Sequence, residues 1–139
     1  MNSISARNQV PGIIKSISRG IVNAEVIITT KTGMEISSII TLGSSIRMNL
    51  EPGSSVTAII KASDVMLAVG NNFAISSRNC IPGKVKSLLP GTVNDEVIID
   101  ADGIEIVSVI TESSVKRLAL TEGTNISAII KASNVIIMK

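Results

Sequence analysis

The sequence predicts an all-β protein built as two tandem five-stranded barrels, each with one short helix. Three observations predict it. The chain is one unit of about 65–70 residues written twice. Most of each copy consists of β-branched runs bounded by turn residues. One stretch in each copy switches from strand patterning to helical spacing.

The first copy runs from Ser5-Ala6-Arg7-Asn8 through Val10-Pro11-Gly12 to Lys61-Ala62-Ser63. The second runs from Ser76-Ser77-Arg78-Asn79 through Ile81-Pro82-Gly83 to Lys131-Ala132-Ser133. Arg7 and Arg78 are 71 residues apart and Lys61 and Lys131 are 70 apart, so one deletion separates the copies. The expected domains are residues 1–70 and 71–139, joined by the short polar linker Gly70-Asn71-Asn72. Duplication also sorts residues: polar positions that recur in both copies are candidates for a site.

The first strand covers Val10 to Ile17, and its counterpart Ile81 to Leu89, each ended by a turn at Arg19-Gly20 or Pro90-Gly91. Second strands follow at Val22 to Thr30 and Val93 to Asp100. Thr32-Gly33 and Asp102-Gly103 are hairpin signals, and the deletion falls there, where a loop absorbs it. Third strands cover Met34 to Ile39 and Ile104 to Val109. Between Leu42 and Leu50, and between Glu112 and Leu120, the spacing predicts a short helix, ended by Glu51-Pro52-Gly53 and Thr121-Glu122-Gly123. Fourth strands are expected over Ser55 to Ala62 and Asn125 to Ala132, and short fifth strands over Val65 to Val69 and Val135 to Met138. Five strands with a helix between the third and fourth is the order of an OB-like Greek-key barrel.

Composition narrows the function. With one Phe, one Cys and no Trp or Tyr, the core must be almost wholly Ile, Val, Leu and Ala. Each half is near the size at which a single core is marginal, and the mean hydropathy is +0.46. Both facts press towards tight domain pairing and oligomerisation. The lone Cys80 excludes an intrachain disulfide and reads as a spacer. No apolar run approaches the 18 or so residues that span a bilayer, and Met1 to Ile4 has no secretory character. The expectation is a cytoplasmic protein without membrane contact.

Catalysis is not expected. The chain has no His, the usual general base and commonest metal ligand. No thiolate cluster, phosphate loop or nucleophile elbow appears. The recurring carboxylates Glu25/Glu96 and Glu35/Glu105 lie in strands, where alternation with a solvent face accounts for them. Binding of single-stranded nucleic acid needs aromatic platforms and a basic groove. The single aromatic, Phe73, lies by the linker and the net charge is only +2, so nucleic acid is set aside.

What recurs is a set of donors. Ser5, Arg7 and Asn8, with Ser76, Arg78 and Asn79, stand at the entry to the first strand of each copy. Lys61 and Ser63, with Lys131 and Ser133, stand at the end of the fourth. Arg supplies a planar fork of N–H groups, Lys a compact charge and Ser a hydroxyl. Only Asp64 brings a carboxylate beside them, and its counterpart is Asn134. Such a donor set suits a small tetrahedral oxyanion, whose every oxygen accepts. Taken singly, each segment also fits a solvated lead-in or an edge lysine.

The combination S-A-R-N, V-P-G-x-I, R-G-x-V-N-A-E-V and V-T-A-I-I-K-A-S-D-V resembles the molbindins, the Mop-type small molybdate-binding proteins. The match covers nearly the whole chain, in both halves. The resemblance implies OB-like barrels in compact oligomers, a trimer of two-domain chains being favoured, with molybdate or tungstate held between neighbouring domains or subunits. It implies an anion site from Ser5, Arg7, Asn8, Lys61 and Ser63, with Ser76, Arg78, Asn79, Lys131 and Ser133. It adds the helix-leading Thr41 and Ser44, with Thr111 and Ser114, which also fit helix caps. A second class of site, near a symmetry axis, would use the turns around Gly20 and Val22 and around Gly91 and Val93. No cofactor and no directly ligated metal cation is implied. The expected function is intracellular storage and homeostasis of the oxyanion. The alternative is a structural or regulatory oligomerisation module with a vestigial site.

Overall fold

The computed structural model describes residues 3–70 and 73–139. The strands are β1 (Asn8–Arg19), β2 (Asn23–Thr30), β3 (Glu35–Thr41), β4 (Ser55–Ile60) and β5 (Met66–Val69), then β6 (Asn79–Leu89), β7 (Asn94–Ala101), β8 (Ile104–Thr111), β9 (Asn125–Ile130) and β10 (Ile136–Met138). Helix α1 (Leu42–Arg47) lies between β3 and β4, and α2 (Glu112–Arg117) between β8 and β9. The expected class holds: the chain is mostly β, in two five-stranded sheets with few short helices.

Strand patterning follows the pleat. Along β2, Ala24, Val26, Ile28 and Thr30 are buried in alternation, and Asp95, Val97, Ile99 and Ala101 repeat the pattern along β7. Both long strands carry an irregularity at the same place, between Ile14 and Ser16 and between Val85 and Ser87. Such bulges bend a strand and increase its twist, which curls the sheet. Gly12 and Gly83 permit the close approach this needs. A Cβ on Gly12 would stand 2.5 Å from Ile28 Cγ2 and 2.7 Å from the Thr29 carbonyl oxygen. The hairpins expected at Gly33 and Gly103 are present, both glycines having left-handed φ, 88° and 87°.

Boundaries differ from expectation chiefly at the helices and the fourth strands, while β1 and β3 run a little beyond the ends expected. The helices stop at Arg47 and Arg117, short of Pro52-Gly53 and Glu122-Gly123. The chain turns left-handed at Asn49 (φ 50°) and Ala119 (φ 51°), which breaks the helical hydrogen-bond ladder there. The fourth strands stop at Ile60 and Ile130, because Ala62–Asp64 and Ala132–Asn134 form single 3-10 turns.

The larger difference is the pairing of the fifth strands. The first sheet has the order β10-β4-β1-β2-β3 and the second β5-β9-β6-β7-β8. The final strand of the chain completes the sheet of the first copy, and the fifth strand of the first copy completes the sheet of the second. The compact units are therefore 1–60 with 131–139, and 61–130, which differs from the contiguous split at 70/71. Strand propensity cannot distinguish the two pairings, since Val65–Val69 and Val135–Met138 carry similar sequences. Beyond Gly70, the linker residues Asn71 and Asn72 lie outside the described residues.

In the first unit, Ser38 on β3 donates its hydroxyl to the Val135 carbonyl oxygen at 2.7 Å. In the second, Ser108 on β8 makes the same bond to Val65, also at 2.7 Å. Each ties the last strand in sheet order to the turn leading into the first, and so draws the sheet towards closure.

Candidate anion-binding site

The entry to β1 is ordered by local hydrogen bonds. Gln9 Nε2 donates to the carbonyl oxygens of Ile4 (3.2 Å) and Ala6 (3.1 Å), which holds the Ser5–Arg7 segment against the strand. The second copy has Cys80 in place of Gln9 and achieves the bracing otherwise. Ser77, counterpart of Ala6, donates its hydroxyl to Ile130 O at 2.9 Å. Ser5, Arg7, Ser76 and Arg78 are exposed. Asn8 and Asn79 are buried first residues of their strands, paired with Ile60 and Ile130. They belong to the sheet, whereas the spacing had placed them before it.

Lys61 and Lys131 lead the 3-10 turns in extended conformation, and Ser63 and Ser133 sit at the centre of each turn. All four are exposed, while Ala62 and Ala132 between them are buried and anchor the turns.

The register shows which segments the fold brings together. In the first unit, Ile136 pairs with Ile59, and Ile59 with Gln9. This row lies at the end of the sheet where β1 and β10 begin and β4 ends. The lead-in carrying Ser5 and Arg7 and the turn carrying Lys131 and Ser133 therefore flank the same sheet end, two strand spacings or about 10 Å apart. In the second unit Met66 pairs with Ile129 and Ile129 with Cys80, which sets Ser76 and Arg78 with Lys61 and Ser63 in the same way. Each lysine also adjoins the lead-in of its own copy: Lys61 follows Ile60, the partner of Asn8, and Lys131 follows Ile130, the partner of Asn79, one strand spacing or about 5 Å away. The exchanged fifth strands carry each turn on to the sheet that holds the other copy's lead-in.

Thr41 and Thr111 are helix N-caps. Each side chain accepts from the backbone N–H three residues on, Ser44 or Ser114, at 3.1 Å, and donates to that serine's hydroxyl at 2.8 Å. In the hairpin turns, the carbonyls of Val22 and Val93 accept from Leu42 N (2.8 Å) and Glu112 N (3.0 Å). Gly20 N donates to Asn23 O at 2.8 Å, but Gly91 N donates to the Asp95 carboxylate at 3.0 Å. Asp95 is buried and replaces Ala24. The two turns thus differ in charge, and the second already uses its Gly91 donor on a carboxylate.

The carboxylates Glu35 and Glu105 form surface ion pairs with Lys15 (2.8 Å) and Lys86. Hydrogen bonding to Glu105, with its charge, raises Lys86 above its ordinary value. Among the described residues no cluster of acidic, Cys or His side chains could hold a metal ion, and no helix is long and apolar enough to cross a membrane. Ser38 and Ser108 escaped the sequence reading although they recur 70 residues apart in otherwise apolar strands. That recurrence is the signal that could have found them.

The family profile of the TOBE domain matches residues 4–67 and again 75–137. The chain belongs to the TOBE domain family. Among relatives of this tandem TOBE chain is the molybdenum-pterin-binding protein MopA of Rhodobacter capsulatus, 39% identical over 135 residues, which are 96% of this chain and 51% of MopA. Molybdenum-pterin-binding protein 1 of Clostridium pasteurianum is 42% identical over 65 residues, 47% of this chain and 96% of that protein. The structure is also similar to that of ModG, a cytoplasmic molybdate-binding protein solved with molybdate bound. The TM-score is 0.94 at 39% identity, covering 99% of both chains. The resemblance to the Mop-type proteins is thereby shown at the level of family and fold. This TOBE pair spans about half the length of the longer curated relatives it matches.

Proposed function

We propose that this TOBE pair binds molybdate or tungstate and serves to store and buffer the oxyanion in the cytoplasm, without catalysing a reaction. The observation that carries the reading is the convergence, at one end of each sheet, of a Ser-x-Arg lead-in and a Lys-Ala-Ser turn. Two cations and several hydroxyls there answer a tetrahedral dianion. Similarity to ModG and to the molybdenum-pterin-binding proteins supports the choice of ion. The capped Thr41–Ser44 and Thr111–Ser114 pairs and the Gly20 turn are secondary contributors, and the Gly91 turn is the least suited, because Asp95 faces its donor.

The working form is a homo-oligomer, a trimer of two-domain chains, with sites completed by neighbouring subunits. Hairpin tips that expose apolar side chains support it: Ile21 is 96% exposed and Val22 and Val93 are 70% exposed. These tips equally suit a purely structural oligomerisation module, so the test must read the ligand.

Equilibrium dialysis against molybdate, tungstate, sulfate and phosphate provides that reading. Molybdate and tungstate are expected to bind and compete, and sulfate to bind poorly, since a shell fixed around the larger ion leaves a smaller one under-coordinated. Arg7→Ala with Arg78→Ala should weaken binding about ten-fold or more, in keeping with the ~1.5–3 kcal/mol of a charge-assisted hydrogen bond. A stable oligomer indifferent to molybdate would favour the structural module.

A further inference from the structure

We propose that the two donor sets of this chain are unequal and that Asp64 sets the difference. A set that includes Lys61 and Ser63 then holds a dianion more weakly than one that includes Lys131 and Ser133. This inference rests on the oxyanion-binding reading.

The duplication supplies an internal control. The two 3-10 turns have the same backbone: Asp64 N donates to Lys61 O and Asn134 N to Lys131 O, both at 2.9 Å, and Val65 N and Val135 N donate to Ala62 O and Ala132 O, both at 3.3 Å. Lys61 leads its turn at φ −67°, ψ 136°, and Lys131 at φ −63°, ψ 134°. Ala62 and Val65 are buried, as are Ala132 and Val135, and Asp64 and Asn134 are both half-buried. Against this common frame one near-isosteric exchange stands out, a carboxylate for an amide.

The exchanged residue adjoins the serine of the donor set, with Cα atoms about 3.8 Å apart, and lies three residues from the lysine. It is therefore within one turn of both donors. A carboxylate offers only acceptors and carries a full negative charge, whereas an amide in its place offers two N–H donors. No acidic residue occurs in Lys131–Asn134 or in either lead-in, Ser5–Asn8 and Ser76–Asn79, so of these segments only the turn at Lys61 carries such repulsion. For one negative charge about 8 Å from a dianion in a nearly aqueous dielectric, Coulomb's law gives about a five-fold loss of affinity, and more as water is excluded.

The unequal sets give the chain two working ranges. The set at Lys131 fills at low oxyanion concentration, and the set at Lys61 fills and empties where the other stays loaded.

The test is calorimetric titration of the full chain with sodium molybdate, comparing wild type, Asp64→Asn and Asn134→Asp. Wild type should show two classes of site. Asp64→Asn should tighten the weaker class about five-fold and merge the isotherm towards one class. Asn134→Asp should weaken the tighter class by a similar factor. Thermal melts without ligand report whether each variant remains folded, and Asp64→Asn decides the matter should Asn134→Asp unfold. Molybdate binding by wild type that Asp64→Asn leaves unchanged overturns the role of Asp64 alone. Absence of molybdate binding in folded wild type overturns the oxyanion reading, and this inference with it.

Discussion

Ser38 and Ser108 show how one hydroxyl can hold an exposed turn from below. Both are fully buried in strands of aliphatic neighbours, and each donates to the carbonyl at the exit of a Lys-Ala-Ser turn. Removing such a donor leaves a buried carbonyl oxygen without its partner, at about 1–3 kcal/mol. Ser108→Ala should therefore lower the urea midpoint accordingly. It should also weaken molybdate binding by the set containing Lys61 and Ser63, through loss of turn placement. Unchanged stability in urea would show that the Val65 carbonyl finds another donor. The charged donors were legible from repetition alone, because Arg and Lys stand out in so apolar a chain. The serines beneath them were not, because a strand serine has the same composition whether it faces water or closes a barrel.

At the scale of the element, the helices combine a good start with an awkward stop. Thr41 and Thr111 cap the N-termini, so these hydroxyls are engaged before any ligand arrives. At the other end, Asn49 and Ala119 occupy left-handed conformation. Asn tolerates it, but Ala pays the Cβ contact with its own carbonyl, about 1–2 kcal/mol. In the first unit Lys139 Nζ also donates to Met48 O (3.2 Å) and Asn49 O (2.9 Å), covering carbonyls at the helix end. Ala119→Gly should thus stabilise the fold, by up to ~1 kcal/mol after the added entropy of the unfolded chain, and so raise the thermal midpoint. A destabilised Ala119→Gly would mean that the Ala119 methyl group contributes packing that outweighs its strain. Helical spacing located both helices, yet the stop was misplaced to Pro52-Gly53 and Glu122-Gly123. Left-handed Asn49 and Ala119 leave no glycine to mark it.

For the whole molecule, the question is what covers the hairpin tips. Ile21 at 96% exposure and Leu89 at 63% are costly to leave in water, at roughly 25 cal/mol per Å² of apolar surface. Ile21→Lys with Val22→Lys should shift the sedimentation profile towards smaller species, whereas the same profile as wild type would remove these tips from the interface. Added molybdate should stabilise the assembly by RT ln(1 + [L]/Kd) for each independent site, about 2.7 kcal/mol at a hundred-fold excess over Kd. A melting midpoint that does not move with molybdate would count against ligand-linked stability.

The sequence by itself determined the duplication, the all-β class, the five strands of each copy, the helix position and the recurring Ser, Arg and Lys positions proposed as donors. Each of these rests on local pattern: period-two alternation, turn residues, or the recurrence of charge in an aliphatic chain. Only the tertiary structure decided that the fifth strands are exchanged, so that Lys131–Ser133 shares a sheet end with Ser5–Arg7, and Lys61–Ser63 with Ser76–Arg78. The physical reason is that β10 and β5 present nearly the same residues to β4 and β9. Their pairing is set by which sheet each can reach after its 3-10 turn, a long-range property that no local pattern records.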